Sequence, residues 1–295
     1  MIEPQDIRLF EARRGFLTGL AYRILGSVAE AEDAVQDTFL KWSQTDRAVI
    51  AHPEAWLTTA CTRRSIDLLR AAHQARVDYV GAWLPEPLQA EAGDAPDAAL
   101  ELSSSLSVAF LLLLERLTPR ERAAYLLHDV FDQPYEEVAL ALGVQEAACR
   151  KLVSRARQHV GDGNVRSAVP PVRQRALLAA FQEAVASGDT ASLALLMSDD
   201  IELRTDGGGK VQALLAPLSG KAPVLDFIAG RLNLYWRAYT WRLTWINGGY
   251  GALLVDAGHI VASVSFACDA AGRATGIFIM RNPDKLARLA APCGL

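Results

Sequence analysis

The stretch LTPRERAAYLLHDVFDQPYEEVALALGVQEAACRKLVSRAR, residues 117–157, contains the strongest local structure signals in the chain. Thr118 can cap a helix that begins with the following proline, and Glu121 stands where a capping box places its carboxylate. A second helix is predicted to end at Gly143, and a basic helix begins at Glu146 after a very short turn. A helix, a glycine turn and a basic helix form the pattern of a helix-turn-helix, whose second helix enters the major groove of DNA.

The basic helix of this stretch carries its polar side chains on one face and the adjoining flank. Spacings of four and three residues bring them together on the helix surface. The residues concerned are Arg150, Lys151, Ser154, Arg155 and Arg157. Side chains of these types reach guanine edges and phosphates in a major groove. An ordinary solvated basic helix has the same charge pattern, so charge alone leaves both interpretations open.

The N-terminal part of the chain predicts a separate helical domain. Apolar residues recur at helical spacing from Ile7 to about Ala72, with breaks at Gly26-Ser27 and around Pro53. This pattern predicts three or four helices. Residues 77–96 then combine glycines and prolines with acids, a composition that neither helix nor strand tolerates well, and they predict a linker.

A third domain is predicted beyond Val172, where the residue pattern changes from long helical periodicity to short helices and β-rich segments. Short helices are followed by the β-rich segments YTWRLTWI, ALLVDA and HIVASVSFACD, which are separated by turns of glycine with asparagine or aspartate. This succession predicts an α+β domain with an antiparallel sheet.

Composition limits the class of protein. The 295 residues are 51% hydrophobic, enough for two or three globular domains, and the net charge of −4 argues against non-specific coating of DNA. No run of signal-peptide or membrane-spanning character is present, which predicts a cytoplasmic protein. The cysteines are scattered without metal-ligand spacing, so we expect free, reduced thiols and no metal site at Cys61, Cys149, Cys268 and Cys293.

The order of these motifs, from Phe10 to about Val160, resembles the extracytoplasmic-function sigma factors of the sigma-70 family. Residues 29–42, AEAEDAVQDTFLKW, resemble that family's polymerase-binding helix, and residues 53–72, PEAWLTTACTRRSIDLLRAA, resemble its segment for reading and melting the −10 element. Residues 117–157 resemble its −35 reading domain. The resemblance implies two partners, core RNA polymerase (through its β′ coiled coil and β flap) and promoter DNA.

The resemblance also implies roles for individual residues. Those that would face the β′ coiled coil are Asp33, Gln36, Asp37, Phe39 and Trp42. Those that would contact DNA are Arg63, Arg64, Asp67, Arg70, Arg120, Arg150, Lys151, Ser154, Arg155 and Arg157. Without the resemblance, residues 29–42 can be interpreted simply as an amphipathic helix. Arg63 and Asp67 can likewise be interpreted as an ordinary i,i+4 ion pair.

Three further strings are similar to hallmark motifs of the subgroup that carries a C-terminal SnoaL-like domain, understood to regulate the sigma factor from within. They comprise Trp83, Leu84, Pro85, Glu86 and Pro87; Asp206, Gly207, Gly208, Gly209 and Lys210; and Asn282, Pro283, Asp284 and Lys285. The implied domains are sigma region 2 (1–76), a linker (77–96), sigma region 4 (97–162) and a cone-shaped SnoaL-like domain with a curved antiparallel sheet (173–295). The large apolar groups of Trp83 and Leu84 predict a linker that docks on this last domain.

SnoaL-like folds also host cyclases and isomerases, in which an Asp or His inside the cone acts as acid or base. Asp206, Asp256 and His259 are the candidates here. Each lies in or beside a predicted turn, which places all three at the rim and predicts that the protein is not an enzyme. Four aromatic residues can line a cavity for a small-molecule effector or can be plain core, namely Trp241, Trp245, Phe266 and Phe278.

The sequence therefore predicts a promoter-specific sigma factor, monomeric when free and without cofactor, whose activity its C-terminal domain controls in cis. We expect that domain to hold the two sigma domains in an arrangement that cannot span both promoter elements. A helix-turn-helix repressor is the alternative, and it would bind its operator without polymerase. Two departures from the family pattern are Ala82, where a proline is expected, and Gln145, where a Ser or Thr cap is expected.

Overall fold

The computed structural model describes residues 3–46, 49–77, 79–90, 104–161 and 169–290. This part of the chain forms two compact units. The helical unit comprises Met1–Asp78 and Leu113–Asp162, and the sheet unit comprises Tyr79–Leu112 and Gly163–Leu295. Of the regions predicted from sequence, linker residues 91–96, the start of the second sigma domain (97–103) and Cys293 lie outside the described residues. The predicted domain boundaries stay a prediction.

The first three helices of the helical unit are α1 (Pro4–Leu25), α2 (Val28–Gln44) and α3 (Pro53–Val77). Between α1 and α2 the chain turns at Gly26, whose φ of 72° is the left-handed conformation that glycine adopts without strain. Ser27 then caps α2 by accepting a hydrogen bond from the Glu30 backbone N–H at 3.3 Å. The predicted all-helical domain is confirmed, with both breaks where the sequence placed them.

Helix α4 (Val108–Leu114) crosses from the sheet unit into the helical unit, since its residues up to Leu112 belong to the sheet unit. The second helical block follows it and contains α5 (Pro119–Tyr125) with a following π-helical turn (Leu126–Val130), α6 (Tyr135–Leu142) and α7 (Glu146–Val160). The capping box at the start of α5 is formed in both directions between Thr118 and Glu121. Gly143 ends α6 with a φ of +64°, and α7 buries Cys149, Val153 and Ala156. The helix-turn-helix prediction is confirmed.

The sheet unit contains one twisted sheet that crosses the domain. Its strands are β1 (Gln89–Ala90), β2 (Met197–Asp206), β3 (Leu218–Ser219), β4 (Thr240–Ile246), β5 (Gly249–Asp256), β6 (His259–Cys268) and β7 (Ala274–Met280). Their order is β1-β4-β5-β6-β7-β2-β3. The β-rich segments named from the sequence coincide with β4, β5 and β6. Neighbouring strands run antiparallel except β2 and β7, which pair in parallel because a long helical crossover separates β2 from the β4–β7 meander.

Helices cover the sheet and close its core. They are α8 (Pro171–Ser187), α9 (Ala191–Leu195), α10 (Lys221–Phe227) with a following π-turn (Ile228–Leu232), α11 (Asn233–Trp236) and α12 (Pro283–Leu286). Phe181 on α8 is fully buried and meets the rings of Trp241 and Phe266 at centroid distances of 5.9 and 5.5 Å. The predicted α+β domain is confirmed, but its sheet is mixed and not purely antiparallel as predicted, because β2 and β7 pair in parallel.

Part of the predicted linker belongs to this sheet. Gln89 and Ala90 pair with Ile246 and Trp245 at the edge of β4. Asn247 fixes the segment further, because its backbone N–H donates to Leu88 O at 2.9 Å and its side-chain oxygen accepts from Leu88 N–H at 3.2 Å. The expectation that no strand forms in this segment was wrong, because these hydrogen bonds come from a partner strand about 155 residues away that local composition does not reveal.

Candidate nucleic-acid interface and linker clamp

The predicted −35 reading residues lie exposed on α7, as the spacing required. Arg150 stacks on the Tyr135 ring, with its guanidinium carbon 4.3 Å from the ring centroid, and it hydrogen-bonds Glu146. Arg157 donates to Asp129 at 2.9 Å. Arg150, Ser154 and Arg157 line one open groove, while Lys151 and Arg155 are exposed on the flank and Arg120 is exposed on α5. The helix thus presents an ordered row of donors to solvent.

The start of α7 lacks a side-chain cap, as Gln145 suggested. Gln145 has the extended backbone of a cap residue, with φ −76° and ψ 150°, but its side chain makes no capping hydrogen bond. Gln145→Ser is therefore expected to stabilise the helical unit by about 1 kcal/mol, because a short hydroxyl can satisfy an N–H of the first turn. Urea unfolding of the full chain measures this gain, with Gln145→Ala as the control. An equal midpoint for both variants would contradict the prediction.

The predicted −10 segment is exposed on α3, but its arginines are engaged within the helical unit. Arg63 donates from Nε to Ala141 O and from Nη2 to Leu140 O, both at 2.9 Å. These carbonyls lie in the last turn of α6, where Leu140 O also accepts the Gly143 N–H at 3.2 Å, and a guanidinium is favourable at this negative end of the helix. Asp67 lies 3.5 Å from Arg70, so the ion pair that the structure forms is not the Arg63–Asp67 pair considered from sequence.

The predicted polymerase-binding helix α2 divides into an exposed face and a buried one. Asp33 and Gln36 are exposed, and Asp37 pairs with Arg64 of α3 at 2.6 Å. Phe39 is half-buried against Phe10, at a centroid distance of 4.9 Å. Exposed Leu40 extends the outer face, since it follows Asp33 and Gln36 by seven and four residues.

Trp42 was predicted to face the polymerase, but it lies in the core of the helical unit. It is 1% exposed, its ring packs on Trp56 at 5.4 Å, and its Nε1–H donates to Asp6 O at 3.2 Å. The core of the helical unit covers the indole and satisfies its only donor, so Trp42 stabilises the fold instead of meeting a partner.

A second set of contacts joins the two helical blocks, and it was not predicted from the sequence. Arg122 is 2% exposed and donates to Leu114 O at 2.9 Å and to Ile24 O at 2.6 Å. It also forms an ion pair with Glu115 at 2.7 Å. The sequence-based prediction named its exposed neighbour Arg120 instead. The sequence did contain a signal for Arg122: it lies two residues after Arg120, on the apolar side of a capped helix.

Phe131, directly after the π-turn, adds an aromatic contact between the same blocks. Its ring meets Phe16 of α1 edge-on at 5.0 Å, and the Arg23 guanidinium lies 5.3 Å from the ring centroid. Burial lowers the pKa of Arg23 to about 10, so the side chain is still charged at neutral pH. Within the described residues, α1–α3 and α5–α7 therefore form one packed helical body.

In the sheet unit, Asp206 at the end of β2 is 1% exposed. Its carboxylate accepts hydrogen bonds from Tyr79 Oη at 2.6 Å, Leu84 N at 2.9 Å, Lys285 Nζ at 2.8 Å and Gly208 N at 3.0 Å. The expectation that Asp206 lies at the rim was wrong, because the linker covers the turn in which it sits. A buried carboxylate with this many donors is fully satisfied.

Five residues around this carboxylate hold the linker, and we call them the linker clamp: Tyr79, Leu84, Asp206, Asn282 and Lys285. Asn282 donates to Tyr79 Oη at 2.9 Å, and Lys285 Nζ donates to Leu84 O at 2.6 Å. Burial and the neighbouring Asp206 raise the pKa of Tyr79 above its usual range, so its hydroxyl keeps the proton that it donates. The clamp ties the linker to the ends of β2 and β7.

The glycine run after Asp206 is explained by close packing in the clamp. A Cβ on Gly207 would lie 2.4 Å from Val211 O, and one on Gly208, whose φ is +62°, would lie 2.4 Å from Asn282 Nδ2. Lys210 then pairs with Asp284 at 2.5 Å. The two C-terminal motifs, residues 206–210 and 282–286, thus interlock. A side chain at Gly208 would push them apart, and one at Gly207 would displace the loop at Val211.

The WLPEP motif packs beside the clamp. Leu84 is 2% exposed and lies with Phe278, Met280 and Leu286 in one apolar cluster. Pro85 and Pro87 are buried, and buried Glu86 lies 3.7 Å from Arg288. Trp83 is half-buried, with Lys285 Nζ 4.5 Å from its ring centroid, and Pro283 is exposed. The expectation that this motif is covered holds fully for Leu84 and partly for Trp83.

The remaining candidates for catalysis and for a cavity are dispersed. Asp256 and His259 are exposed in the hairpin between β5 and β6, away from the clamp that holds Asp206. Of the four proposed cavity aromatics, Trp241 and Phe266 pack on Phe181, Trp245 meets Tyr250, and Phe278 joins the cluster beside the clamp. None of the four lines the cavity of about 340 Å³ in this unit.

A helix-turn-helix with an exposed basic helix, joined to a helical domain with an acidic outer face, defines a two-domain DNA-binding transcription factor. The Sigma-70 region 2 family profile matches residues 9–75, and the profile of Sigma-70, region 4 matches residues 107–160. The chain belongs to the extracytoplasmic-function sigma factors of the sigma-70 family and is an RNA polymerase sigma factor.

Relatives match over nearly the whole chain. ECF RNA polymerase sigma factor SigJ of Mycobacterium tuberculosis is 36% identical over 95% of this chain and 93% of its own. The probable ECF RNA polymerase sigma factor SigI of the same species is 27% identical over 97% of this chain and 96% of its own. The crystal structure of SigJ superposes with a TM-score of 0.74, over 95% of this chain and 98% of that one. This full-length match is consistent with the subgroup that carries a SnoaL-like C-terminal domain. Among the described helices, none is long and apolar enough to cross a membrane.

Proposed function

We propose that the protein directs core RNA polymerase to promoters in the cytoplasm and that the helical unit described above is its resting conformation. The observation that carries this proposal is the pair of hydrogen bonds from Arg63 to the last carbonyls of α6. Arg63 belongs to the predicted −10 surface, and α6 is the first helix of the −35 reading motif. An arginine held in this way is not available to a displaced DNA strand.

The size of the helical unit supports the same proposal. The −35 and −10 elements are, by their positions, roughly 25 base pairs apart, which is about 85 Å at 3.4 Å per base pair. A compact unit of this length has a radius of gyration of only about 14 Å. Two DNA-binding surfaces within it cannot reach both elements, so the Arg63, Arg122 and Phe131 contacts must open before a promoter is engaged.

The linker clamp is the element that we propose to control this opening. The chain between α3 and α5 connects the two helical blocks, and its described residues 79–90 and 104–112 belong to the sheet unit. Asn247 also donates to Leu106 O at 3.1 Å, so the segment is held near both of its ends. A held connection restricts how far the blocks can separate, and a released one does not. The C-terminal domain thereby regulates the protein in cis.

We propose no enzymatic activity for the C-terminal domain. Asp206 accepts hydrogen bonds from three residues of the clamp and from the Gly208 N–H, and Asp256 and His259 are exposed on the hairpin between β5 and β6. General acid–base catalysis requires a titratable group within reach of a bound substrate. The clamp instead gives Asp206 a structural role, and family membership disfavours the alternative of a polymerase-independent repressor.

Run-off transcription on a library of genomic fragments tests this function even though the promoter sequence is unknown. Core RNA polymerase is assayed alone, with the wild-type chain and with Arg150→Ala/Arg157→Ala, and RNA 5′ ends are sequenced. Protein-dependent 5′ ends that share upstream sequence are expected, with at least about tenfold fewer for the double variant, because each base or phosphate contact is worth about 1–3 kcal/mol. Arg175→Ala, a like change on α8 of the sheet unit, is the control and should match wild type.

The resting conformation is tested in the same assay with Phe131→Ala, which removes a contact between the helical blocks outside the predicted DNA-facing set. Its transcript yield should exceed that of wild type, whereas Phe131→Leu should stay close to it. Absence of protein-dependent transcripts from the wild-type chain would contradict the sigma function. A lower yield from Phe131→Ala, with unchanged polymerase affinity, would contradict the resting conformation alone.

A further inference from the structure

A cavity of about 340 Å³ lies in the sheet unit, between the ends of β2 and β7 and the helices α10 and α11. Most of its wall is apolar or aromatic and includes Leu214, Phe227, Trp236, Tyr239 and Ile279. Its volume is within the range of pockets that hold small organic ligands. A few polar groups converge on the same space, and they indicate what kind of ligand fits.

Among the described residues, two arginines line this cavity and no carboxylate does. The Arg281 guanidinium is fixed at one side, because Nη1 donates to Gln212 O at 2.8 Å. Its Nε–H is buried and has no hydrogen-bond partner within the described ranges. Arg231 stands on the exposed side of the same space. In the described part of the chain, no acid forms a salt bridge with either arginine. Two guanidinium groups line the cavity without a carboxylate among the described lining residues, beside an aromatic wall, and this lining matches an anion that carries a ring.

The cavity and the linker clamp are built on the same two strand ends. At the end of β2, Thr205 lines the cavity and the next residue, Asp206, belongs to the clamp. After β7, Arg281 likewise lines the cavity and the next residue, Asn282, belongs to the clamp. Successive side chains of an extended strand point to opposite sides, which explains the pairing. The N–H groups of Arg281 and Asn282 both donate to Asp206 O, at 2.7 and 2.9 Å.

The loop after the glycine run makes a second connection. Leu214 lines the cavity, and its N–H donates to Thr205 Oγ1 at 2.6 Å. On the other side, a Cβ on Gly81 of the linker would lie 3.4 Å from Leu214 O. The wall of the cavity is therefore also part of the surface on which the linker lies.

We propose that this cavity binds a small aromatic carboxylate, which Arg281 recognises, and that its occupancy tightens the linker clamp. A ligand that binds the wall as it stands stabilises that arrangement over any in which the loop and strand ends have moved. The inference deepens the proposed function by naming the ligand class for the C-terminal domain. Binding itself does not depend on that function.

Isothermal titration of the full-length chain with a matched pair of probes tests the site. The probes are 2-naphthoate and 2-naphthalenemethanol, which share a ring system and differ in charge. Wild type should bind the carboxylate at least about tenfold more tightly than the alcohol, as a charge-assisted hydrogen bond implies. Arg281→Gln should lose that preference and keep its affinity for the alcohol, while Arg242→Gln, an exposed arginine on β4, should behave as wild type.

Equal affinities for the two probes, a preference that survives Arg281→Gln, or no binding at millimolar concentration would each overturn the proposed site. Thermal unfolding of Arg281→Gln shows whether the variant is folded. If it is not, Arg281→Lys, which keeps the charge but lacks the planar guanidinium, replaces it and should show a reduced preference.

Hydrogen exchange of the Leu84 amide, which donates to Asp206, tests the connection to the clamp. Exchange should slow when 2-naphthoate is bound and should not respond in Arg281→Gln. Binding with unchanged exchange would overturn the connection to the clamp. The test of the cavity and the test of the sigma function can fail independently. Protein-dependent transcripts without probe binding would reject only this inference. Probe binding without transcripts would reject only the sigma function.

Discussion

Asp206→Ala should release the linker and lower the free energy of unfolding of the sheet unit by about 3–5 kcal/mol, the usual cost of removing one partner from a buried ion pair. The substitution leaves the Lys285 ammonium, 14% exposed, without its carboxylate. It also leaves Tyr79 Oη and the Leu84 N–H without their acceptor. Hydrogen exchange in increasing urea, followed by mass spectrometry, measures the two units separately.

Asp284→Ala is the matched control for this change. It removes a carboxylate from the same interlocked motifs, but the Lys210–Asp284 pair is exposed, with side-chain exposures of 54% and 65%. Its loss should cost less than about 1 kcal/mol. Equal effects of the two substitutions would mean that burial of the Asp206–Lys285 pair contributes nothing. Under the proposed function, Asp206→Ala alone should also raise the transcript yield.

Arg122→Met should lower the free energy of unfolding of the helical unit by about 3–4 kcal/mol, because it leaves buried acceptors unpaired. The carbonyls of Leu114 and Ile24 and the carboxylate of Glu115 lose their common donor. Methionine keeps much of the side-chain volume, so the lost hydrogen bonds account for most of the change. Urea unfolding followed by far-ultraviolet circular dichroism measures the effect.

Arg120→Met, on the exposed side of the same helix, controls for the loss of a positive charge near that position. It should change the stability of the helical unit by less than about 0.5 kcal/mol. It should still weaken transcription, because Arg120 belongs to the predicted DNA-facing set. If Arg122→Met were as stable as Arg120→Met, the joint between the helical blocks would not rest on Arg122.

The features that could be predicted from sequence are those that local chemistry determines. Thr118 and Glu121 satisfy each other's backbone within one turn, and Gly143 adopts a positive φ that other residues resist. The boundaries of α5, α6 and α7 therefore follow from short strings of residues. The family resemblance rested on the same strings, which explains why it held over both sigma domains.

The features that could not be predicted depend on residues far apart in the chain. Trp42 fits an exposed or a buried face of an amphipathic helix, and only the contact with Asp6 decides between them. Asp206 ends strand β2 and precedes three glycines, a pattern that predicts a rim position, and only the contacts with Tyr79 and Leu84 show that it is covered. Arg122 differs from Arg120 only in which side of the helix the remaining chain packs against.

Strand β1 has a consequence for the lifetime of the released protein. It covers one end of the edge of β4, a strand that also exposes Leu243 at 49%. A linker that leaves the sheet uncovers that edge, and an uncovered edge with apolar side chains recruits strands from other chains and starts aggregation. Under the proposed function, a long-lived released state would therefore favour aggregation of the protein.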